Sequence, residues 1–290
     1  WPEALRQAEP MAKLAMGCQR AYGFESIRLP FDINVEAETL GCTTSYGSAS
    51  DPPMSKPKKR DELDQLVFPG AKPAGRMAET IKATRIVAES KDPGTPLIVA
   101  LGSPFEVLST VYEFDQLFED LLSRSESLLD ILENIVAVQI EYASKIMSAG
   151  ADVMMIVDGT SQTLMPGQFK IFSAPYTRRI IETLDCPSIL HICGNPIRLI
   201  KDMAATGASG LSIDWQVPVE KARADTGGRC SLIGALDVQR LLLGGPEDAV
   251  EMVNAARDLG FDIIAPGCGI MPETPIENIR AYANAVKAII

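Results

Sequence analysis

Short apolar segments rich in branched residues alternate along the chain with longer segments of helical periodicity. Seven apolar segments predict strands, over residues 27–31, 97–101, 153–157, 189–192, 210–213, 231–233 and 263–265. The segments between them predict helices over 3–22, 75–90, 104–150, 168–184, 195–206, 218–226, 236–242 and 246–259, with a last helix over 275–290. Strands that alternate with helices are typical of βα units and a parallel sheet.

Two of these helices have clear start signals. Ser103 is followed by Pro and then, at the third helical position, by Glu106, and Thr274 and Glu277 repeat the pattern. This spacing predicts a capping box, in which a hydroxyl and a carboxylate satisfy the free backbone N–H groups at the helix start. The connection over 32–75 is instead rich in Pro, Gly and charge, and its length predicts a functional or mobile loop.

Seven strands with helical crossovers nearly complete an α/β fold of the TIM (β/α)8 barrel type, in a single domain over 1–290. The chain opens in a helix, so this interpretation places the first strand ahead of Trp1, in an N-terminal segment missing from the sequence. An open doubly wound sheet is the alternative. No Gly-x-Gly-x-x-Gly turn follows a strand to support dinucleotide binding, so the barrel is favoured.

Composition and charge narrow the range of partners. The chain has 27 Lys and Arg against 38 Asp and Glu, a formal net charge of −11. Nucleic acid and anionic membranes attract clustered basic residues, so both are poor partners for this protein, and the basic run over 56–60 is interpreted as a solvated loop. The six cysteines are irregularly spaced, and residues 1–20 lack the apolar core of a signal peptide. Both features predict a cytoplasmic protein.

The strongest chemical signal is His191-Ile-Cys193, at the end of a predicted strand. Residues two apart in a strand point to the same face, so the imidazole and the thiol converge. Cys268 lies beyond another strand, in a glycine-rich turn, and in a barrel both sites open at the same rim. These three residues form a zinc-type donor set, although a lone histidine and a strand cysteine are also common structural residues.

Three protein ligands leave a fourth zinc position open, as in catalytic sites. Asp214 ends a predicted strand and can fill that position until a substrate displaces it, while Asp32, Asp158 and Asp237 follow other strands and can orient substrate or a ligand. Acidic residues at strand ends are equally typical of helix caps. Two thiolates and one imidazole suit a bound thiol substrate, which would lose its proton and remain nucleophilic, so alkyl transfer to sulfur is the predicted chemistry.

Several segments of the chain resemble methylcobalamin:coenzyme M methyltransferases of the uroporphyrinogen decarboxylase superfamily. The resemblance rests on two specific segments, 185–195 and 262–270, with support from 23–32, 35–42 and 274–278. It implies a TIM barrel in which His191, Cys193 and Cys268 bind zinc and Asp214 is the resting fourth ligand. We also expect Gly194, Asn195 and Gly267, in the two ligand-bearing turns, to contact the cofactor.

The resemblance further implies that zinc activates the thiol of coenzyme M to take the methyl group of methylcobalamin, which a corrinoid protein carries to the barrel mouth. Several alternatives remain: another acceptor such as tetrahydrofolate, a uroporphyrinogen decarboxylase-like activity, or a non-catalytic module that binds a corrinoid protein and has a structural zinc. A sulfonate group on the acceptor requires a positively charged side chain to bind it. Arg28, Arg76 and Arg178 are available, and their spacing favours none of them.

Overall fold

The computed structural model describes residues 2–48, 51–69, 73–123 and 125–289. The strands are β1 (Ile27–Leu29), β2 (Thr43–Ser45), β3 (Met54–Lys56), β4 (Leu97–Gly102), β5 (Val153–Val157), β6 (Ser188–His191), β7 (Gly210–Ser212), β8 (Ser231–Leu236) and β9 (Ile263–Pro266). All seven predicted strands are present, and they form one parallel sheet in the order β1-β4-β5-β6-β7-β8-β9. The remaining two, β2 and β3, form an antiparallel hairpin.

Helices fill the crossovers between the parallel strands. They are α1 (Pro2–Arg6), α2 (Ala8–Tyr22), α3 (Val35–Thr39), α4 (Gly75–Ser90), α5 (Pro104–Val111), α6 (Phe114–Ser123), α7 (Glu126–Ser148), α8 (Pro166–Phe172), α9 (Ala174–Ile181), α10 (Ile200–Ala204), α11 (Val219–Thr226), α12 (Val238–Leu243), α13 (Pro246–Asp258) and α14 (Ile276–Lys287), with 3-10 helices at Arg60–Gln65 and Gly159–Thr163. The predicted end of the last helix at residue 290 lies outside the described residues.

The sheet curves so that its two edges, β1 and β9, approach each other. Helix α14, which follows β9, packs against α2, which precedes β1. The rings of Phe24 and Tyr282 lie 6.3 Å apart at this junction. Strand order equal to chain order, with helices outside, is the arrangement of a TIM barrel, and the predicted fold class is therefore confirmed. An eighth strand ahead of Trp1 stays a prediction.

Several predicted helices are shorter than expected. The segment over 104–150 is interrupted after α5, because the backbone of Lys58 hydrogen-bonds Val111 and Glu113 and takes the groups that a continuous helix would use. The segment over 168–184 divides between α8 and α9 at Ser173, two residues before Pro175, which has no N–H to donate. The segment over 195–206 is helical only in α10.

The two predicted capping boxes are largely wrong. Ser103 does cap α5, since its hydroxyl accepts from the Glu106 N–H at 2.9 Å, but the Glu106 carboxylate bonds the Thr160 N–H instead of returning to Ser103. Thr274 makes no cap, and its buried hydroxyl has no hydrogen-bond partner among the described residues. The connection over 32–75 also has more structure than predicted, with α3, the β2–β3 hairpin and a 3-10 helix.

Candidate metal and thiol site

Three side chains from two strand ends meet at one point. The ligand atoms of His191, Cys193 and Cys268 all lie within 4.8 Å of one another. His191 is the last residue of β6 and is buried, Cys193 lies two residues on, and Cys268 follows β9 by two residues. The convergence follows from the fold, because the carboxyl ends of all parallel strands open at the same rim of the sheet.

The imidazole of His191 is oriented by the neighbouring strand. His191 pairs in register with Ser212 of β7, and its Nδ1 lies 3.0 Å from the Ser212 hydroxyl and 3.3 Å from the Ser212 carbonyl oxygen. When Nδ1 carries the ring proton and donates it to Ser212, Nε2 is left with a free electron pair. This is the arrangement that fixes histidine tautomers in metal sites.

The two cysteines share a proton unequally. A hydrogen bond from Cys193, followed by one from His191, lowers the pKa of Cys268 to about 4. The same thiol–thiol hydrogen bond, followed by burial, raises the pKa of Cys193. Gln162 adds a weak donor, with Nε2 at 3.8 Å from the Cys193 sulfur. A cysteine with a lowered pKa beside a second sulfur and an imidazole suits capture of a soft divalent cation.

A buried carboxylate, that of Glu106, lies near Cys193. Glu106 is 5% exposed, and burial raises its pKa to about 7 although the Thr160 N–H donates to it at 2.7 Å. Gly159 separates the two groups, because a Cβ placed there would lie 3.2 Å from the Cys193 sulfur and 3.8 Å from a Glu106 oxygen. A side chain at residue 159 would therefore crowd the Cys193 sulfur and lie against Glu106.

Asp214 lies beside the three-residue cluster but outside the 4.8 Å group. One of its carboxylate oxygens accepts from the Gly194 N–H at 3.3 Å. The other, Oδ1, is buried and has no hydrogen-bond partner among the described residues. A buried carboxylate oxygen without a partner is costly, and a bound cation or proton donor would satisfy it.

The other predicted acidic residues are engaged elsewhere. Asp32 forms an ion pair with Arg76, and both side chains are buried. Asp158 is fully buried and accepts from the Ser103 hydroxyl at 2.5 Å and the Ser173 hydroxyl at 2.6 Å. The structure does not bring Asp32 or Asp158 into the cysteine–histidine cluster.

Asp237 caps α12. Its carboxylate accepts from the N–H groups of Gln239 and Arg240, so the capping interpretation of this residue is correct.

The residues predicted to contact a cofactor line the two ligand-bearing turns. Gly194 has a φ of 70°, and a side chain there would collide with Gln162. Gly267 lies against the backbone of the Asp214 turn, since a Cβ added to it would lie only 3.1 Å from the Asp214 Cα. Asn195 is exposed, and its side chain accepts from the Ile197 N–H at 3.3 Å. Both glycines allow the turns to pack closely around the cluster.

Sequence patterns did not identify Ser212, Gln162 or Glu106 as parts of this site. Ser212 is a polar residue within a buried strand, two positions before Asp214. Its role becomes visible only when the pairing of its strand with that of His191 is known. Glu106 was assigned to a cap by its spacing from Ser103. Gln162 belongs to a 3-10 helix that has no periodic signal.

The donor set fits a zinc ion. Two sulfurs and one imidazole are the ligands that zinc favours, and three of them leave one position of a tetrahedron for water or substrate. The unpartnered Asp214 oxygen beside the cluster is consistent with a cation in this place.

A parallel barrel with a cysteine–histidine cluster at the strand ends defines the class of this protein. The chain belongs to the uroporphyrinogen decarboxylase (URO-D) family, whose model matches residues 1–289. It is 32% identical over 296 residues to the methylcobamide:CoM methyltransferase MtbA of Methanosarcina acetivorans, covering 99% of this chain and 86% of that protein. It is also 30% identical to a uroporphyrinogen decarboxylase of Desulfotalea psychrophila, covering 92% and 81%.

A solved structure with a very similar fold is a methyltransferase from Methanosarcina mazei. It superimposes with a TM-score of 0.92 at 29% identity and covers 100% of this chain and 88% of that one. The similarity covers the whole of this chain, so the two proteins share the fold that the sheet and its helices form.

Proposed function

We propose that this protein is a zinc-dependent methyltransferase that moves a methyl group from methylcob(III)alamin to the thiol of coenzyme M. The proposal is carried by the meeting of His191, Cys193 and Cys268 within 4.8 Å at the strand ends. The names of similar proteins, methylcobamide:CoM methyltransferases, support the same activity. In the overall reaction the thiol releases its proton to solvent, a sulfur–carbon bond forms, the cobalt–carbon bond breaks, and its electron pair stays on cobalt as cob(I)alamin.

His191, Cys193 and Cys268 would bind the zinc. Bound there, zinc would lower the pKa of an incoming thiol into the neutral range while two anionic sulfurs keep electron density on it. Ser212 fixes the His191 ring, and Gln162 orients Cys193. Asp214, with its buried Oδ1 unpartnered among the described residues, would be available to hold the zinc when no thiol is bound.

The methyl donor is proposed to arrive on a separate corrinoid protein that docks at the strand ends. Apolar side chains exposed near this rim support a protein partner, since Trp215 follows Asp214 and is 53% exposed and Met165 follows the loop after β5 and is 57% exposed. Along the described ranges no helix is both long and apolar enough for a membrane span.

The decisive experiment is X-ray absorption at the zinc edge, with and without coenzyme M. We expect two sulfur ligands in the resting protein and three after addition of the thiol. Zinc with no change in sulfur count would contradict coenzyme M as acceptor and direct the search to tetrahydrofolate. Purified protein that binds no zinc would overturn the proposal, and a fourth permanent protein ligand would favour a structural metal.

Variants of the two cysteines test the ligand assignment. Cys193→Ala and Cys268→Ala should each lose zinc and slow methyl transfer by roughly 100-fold or more, because each removes one of three strong ligands. Circular dichroism should show an intact fold, since both residues lie beyond the strands. Cys186→Ala and Cys230→Ala are matched controls, remote from the cluster, and should retain metal and activity. Full zinc occupancy in either site variant would refute the assignment.

A further inference from the structure

Arg28 lies on the inner face of the curved sheet. Its neighbours in β1, Ile27 and Leu29, are buried against the helices, whereas Arg28 is exposed between them. Successive residues of a strand point to opposite faces, so the Arg28 side chain extends to the concave side, away from α2 and α4. Arg28 also interacts electrostatically with Cys268, which lies in the turn after β9.

The guanidinium of Arg28 has no ion-pair or hydrogen-bond partner in the part of the chain that the structure describes. Burial around it lowers its pKa, and only the nearby Cys268 opposes that effect. The surrounding protein thus displaces much of the water around the guanidinium, while the charged group still faces the interior of the curved sheet. A guanidinium has a planar set of five donors, and in this setting it is suited to bind an anion.

The other two candidate arginines are already engaged. Arg76 pairs with Asp32, and its Nε donates to the Leu5 carbonyl at 2.9 Å. Arg178 lies on α9 and donates to the Ala205 carbonyl at 2.7 Å, on the outside of the sheet. The lowered pKa of Cys268 comes mainly from Cys193 and His191, so Arg28 is not the principal partner of Cys268.

We propose that Arg28 binds the anionic end of the acceptor, a short thiol that carries a sulfonate or carboxylate, while the sulfur end lies at the cysteine–histidine cluster. The inference rests on the proposed function and adds the group that selects the acceptor. A guanidinium binds two oxygens of such an anion at once, which fixes the orientation of the ligand as well as its position.

Calorimetry with ligands that lack the thiol tests this subsite apart from metal and methyl transfer. Ethanesulfonate and propionate are titrated into the purified protein, and the same titrations are repeated with Arg28→Gln and with Arg178→Gln as the matched control. We expect wild type and Arg178→Gln to bind at least one anion with the same affinity, and Arg28→Gln to bind about 10- to 100-fold more weakly, the loss of one charged hydrogen-bonded pair. The preferred anion identifies the headgroup.

Thiol selectivity provides the second measurement. With methylcobalamin as donor, Arg28→Gln should raise the KM for 2-mercaptoethanesulfonate while leaving the KM for uncharged 2-mercaptoethanol and the zinc content unchanged. Absence of anion binding by the wild type, or equal binding by Arg28→Gln, would overturn the inference. Anion binding that depends on Arg28 in a protein without methyl transfer would support the subsite and contradict the proposed reaction.

Discussion

Each candidate ligand is positioned by residues from distant parts of the chain. Ser212 holds the His191 ring, Gln162 contacts Cys193, and the other two members of the cluster lower the pKa of Cys268. The local sequence around 191–193 is sufficient to predict that imidazole and thiol share a face. Local sequence does not show whether an acidic residue caps a helix or acts in catalysis, because the groups that hydrogen-bond to that residue lie far away in the sequence.

Asp158 illustrates this limit and leads to a prediction. Replacing it with Ala leaves the hydroxyls of Ser103 and Ser173 buried without their acceptor, and Ser103 also caps α5, which carries Glu106. Asp158→Ala should therefore lower the free energy of unfolding by about 2–5 kcal/mol. Urea denaturation measures the change, with Asp64→Ala at an exposed position as the control. A loss equal to the control would show that Asp158 does not anchor this region.

At the scale of elements, the strands were predictable and the helix boundaries were not. All seven parallel strands follow from apolar runs, and most of them are largely buried, such as β4 and β7, although β9 has no fully buried residue. The interruption after α5 depends on the backbone of Lys58, which lies more than fifty residues earlier, so no local pattern reveals it. The Glu106 carboxylate similarly leaves its predicted cap because Thr160 offers a backbone donor.

Strand β8 passes unusually close to β7 at Gly234. Its φ is 150°, and a Cβ there would lie 2.5 Å from the Ile213 carbonyl oxygen, directly before Asp214. Gly234→Ala should destabilise the protein by about 2–4 kcal/mol, because backbone atoms of β7 cannot yield as a flexible side chain would.

The control for this prediction is Gly228→Ala. Gly228 also has a positive φ, of 73°, but open space around its Cβ, so this variant isolates the conformational cost of about 1 kcal/mol. Chemical denaturation of both variants separates the two effects. Equal losses would mean that the β7–β8 contact relaxes without cost.

At the scale of the whole molecule, buried acids make stability depend on pH. Glu36 is 2% exposed and accepts from the Gly102 N–H at 2.9 Å, yet burial raises its pKa from 4.5 to about 7. Between these two values the folded protein keeps a proton that the unfolded chain releases. The free energy of unfolding therefore falls as pH rises from about 5 to about 7, by up to roughly 3 kcal/mol from this group.

Glu36→Gln should remove that part of the pH dependence. The variant and the wild type should have similar stability at pH 5, and the variant should be the more stable by roughly 1–3 kcal/mol at pH 8, because glutamine has no proton to lose. Urea denaturation at four pH values between 5 and 8 measures the difference. Glu220→Gln, an exposed change on α11, should follow the wild type throughout. Parallel curves for all three proteins would contradict a raised pKa in the folded state.

The closeness of Cys193 and Cys268, whose sulfur atoms lie within 4.8 Å of each other, also makes the protein sensitive to its redox surroundings. A thiolate held against a thiol is the arrangement from which an oxidant forms a disulfide, with loss of two electrons and the remaining proton. Such a bond would use both sulfur atoms and abolish metal binding. Zinc at this site would therefore protect the cysteines as well as activate a thiol, and metal-free protein would need reducing conditions to remain able to bind it.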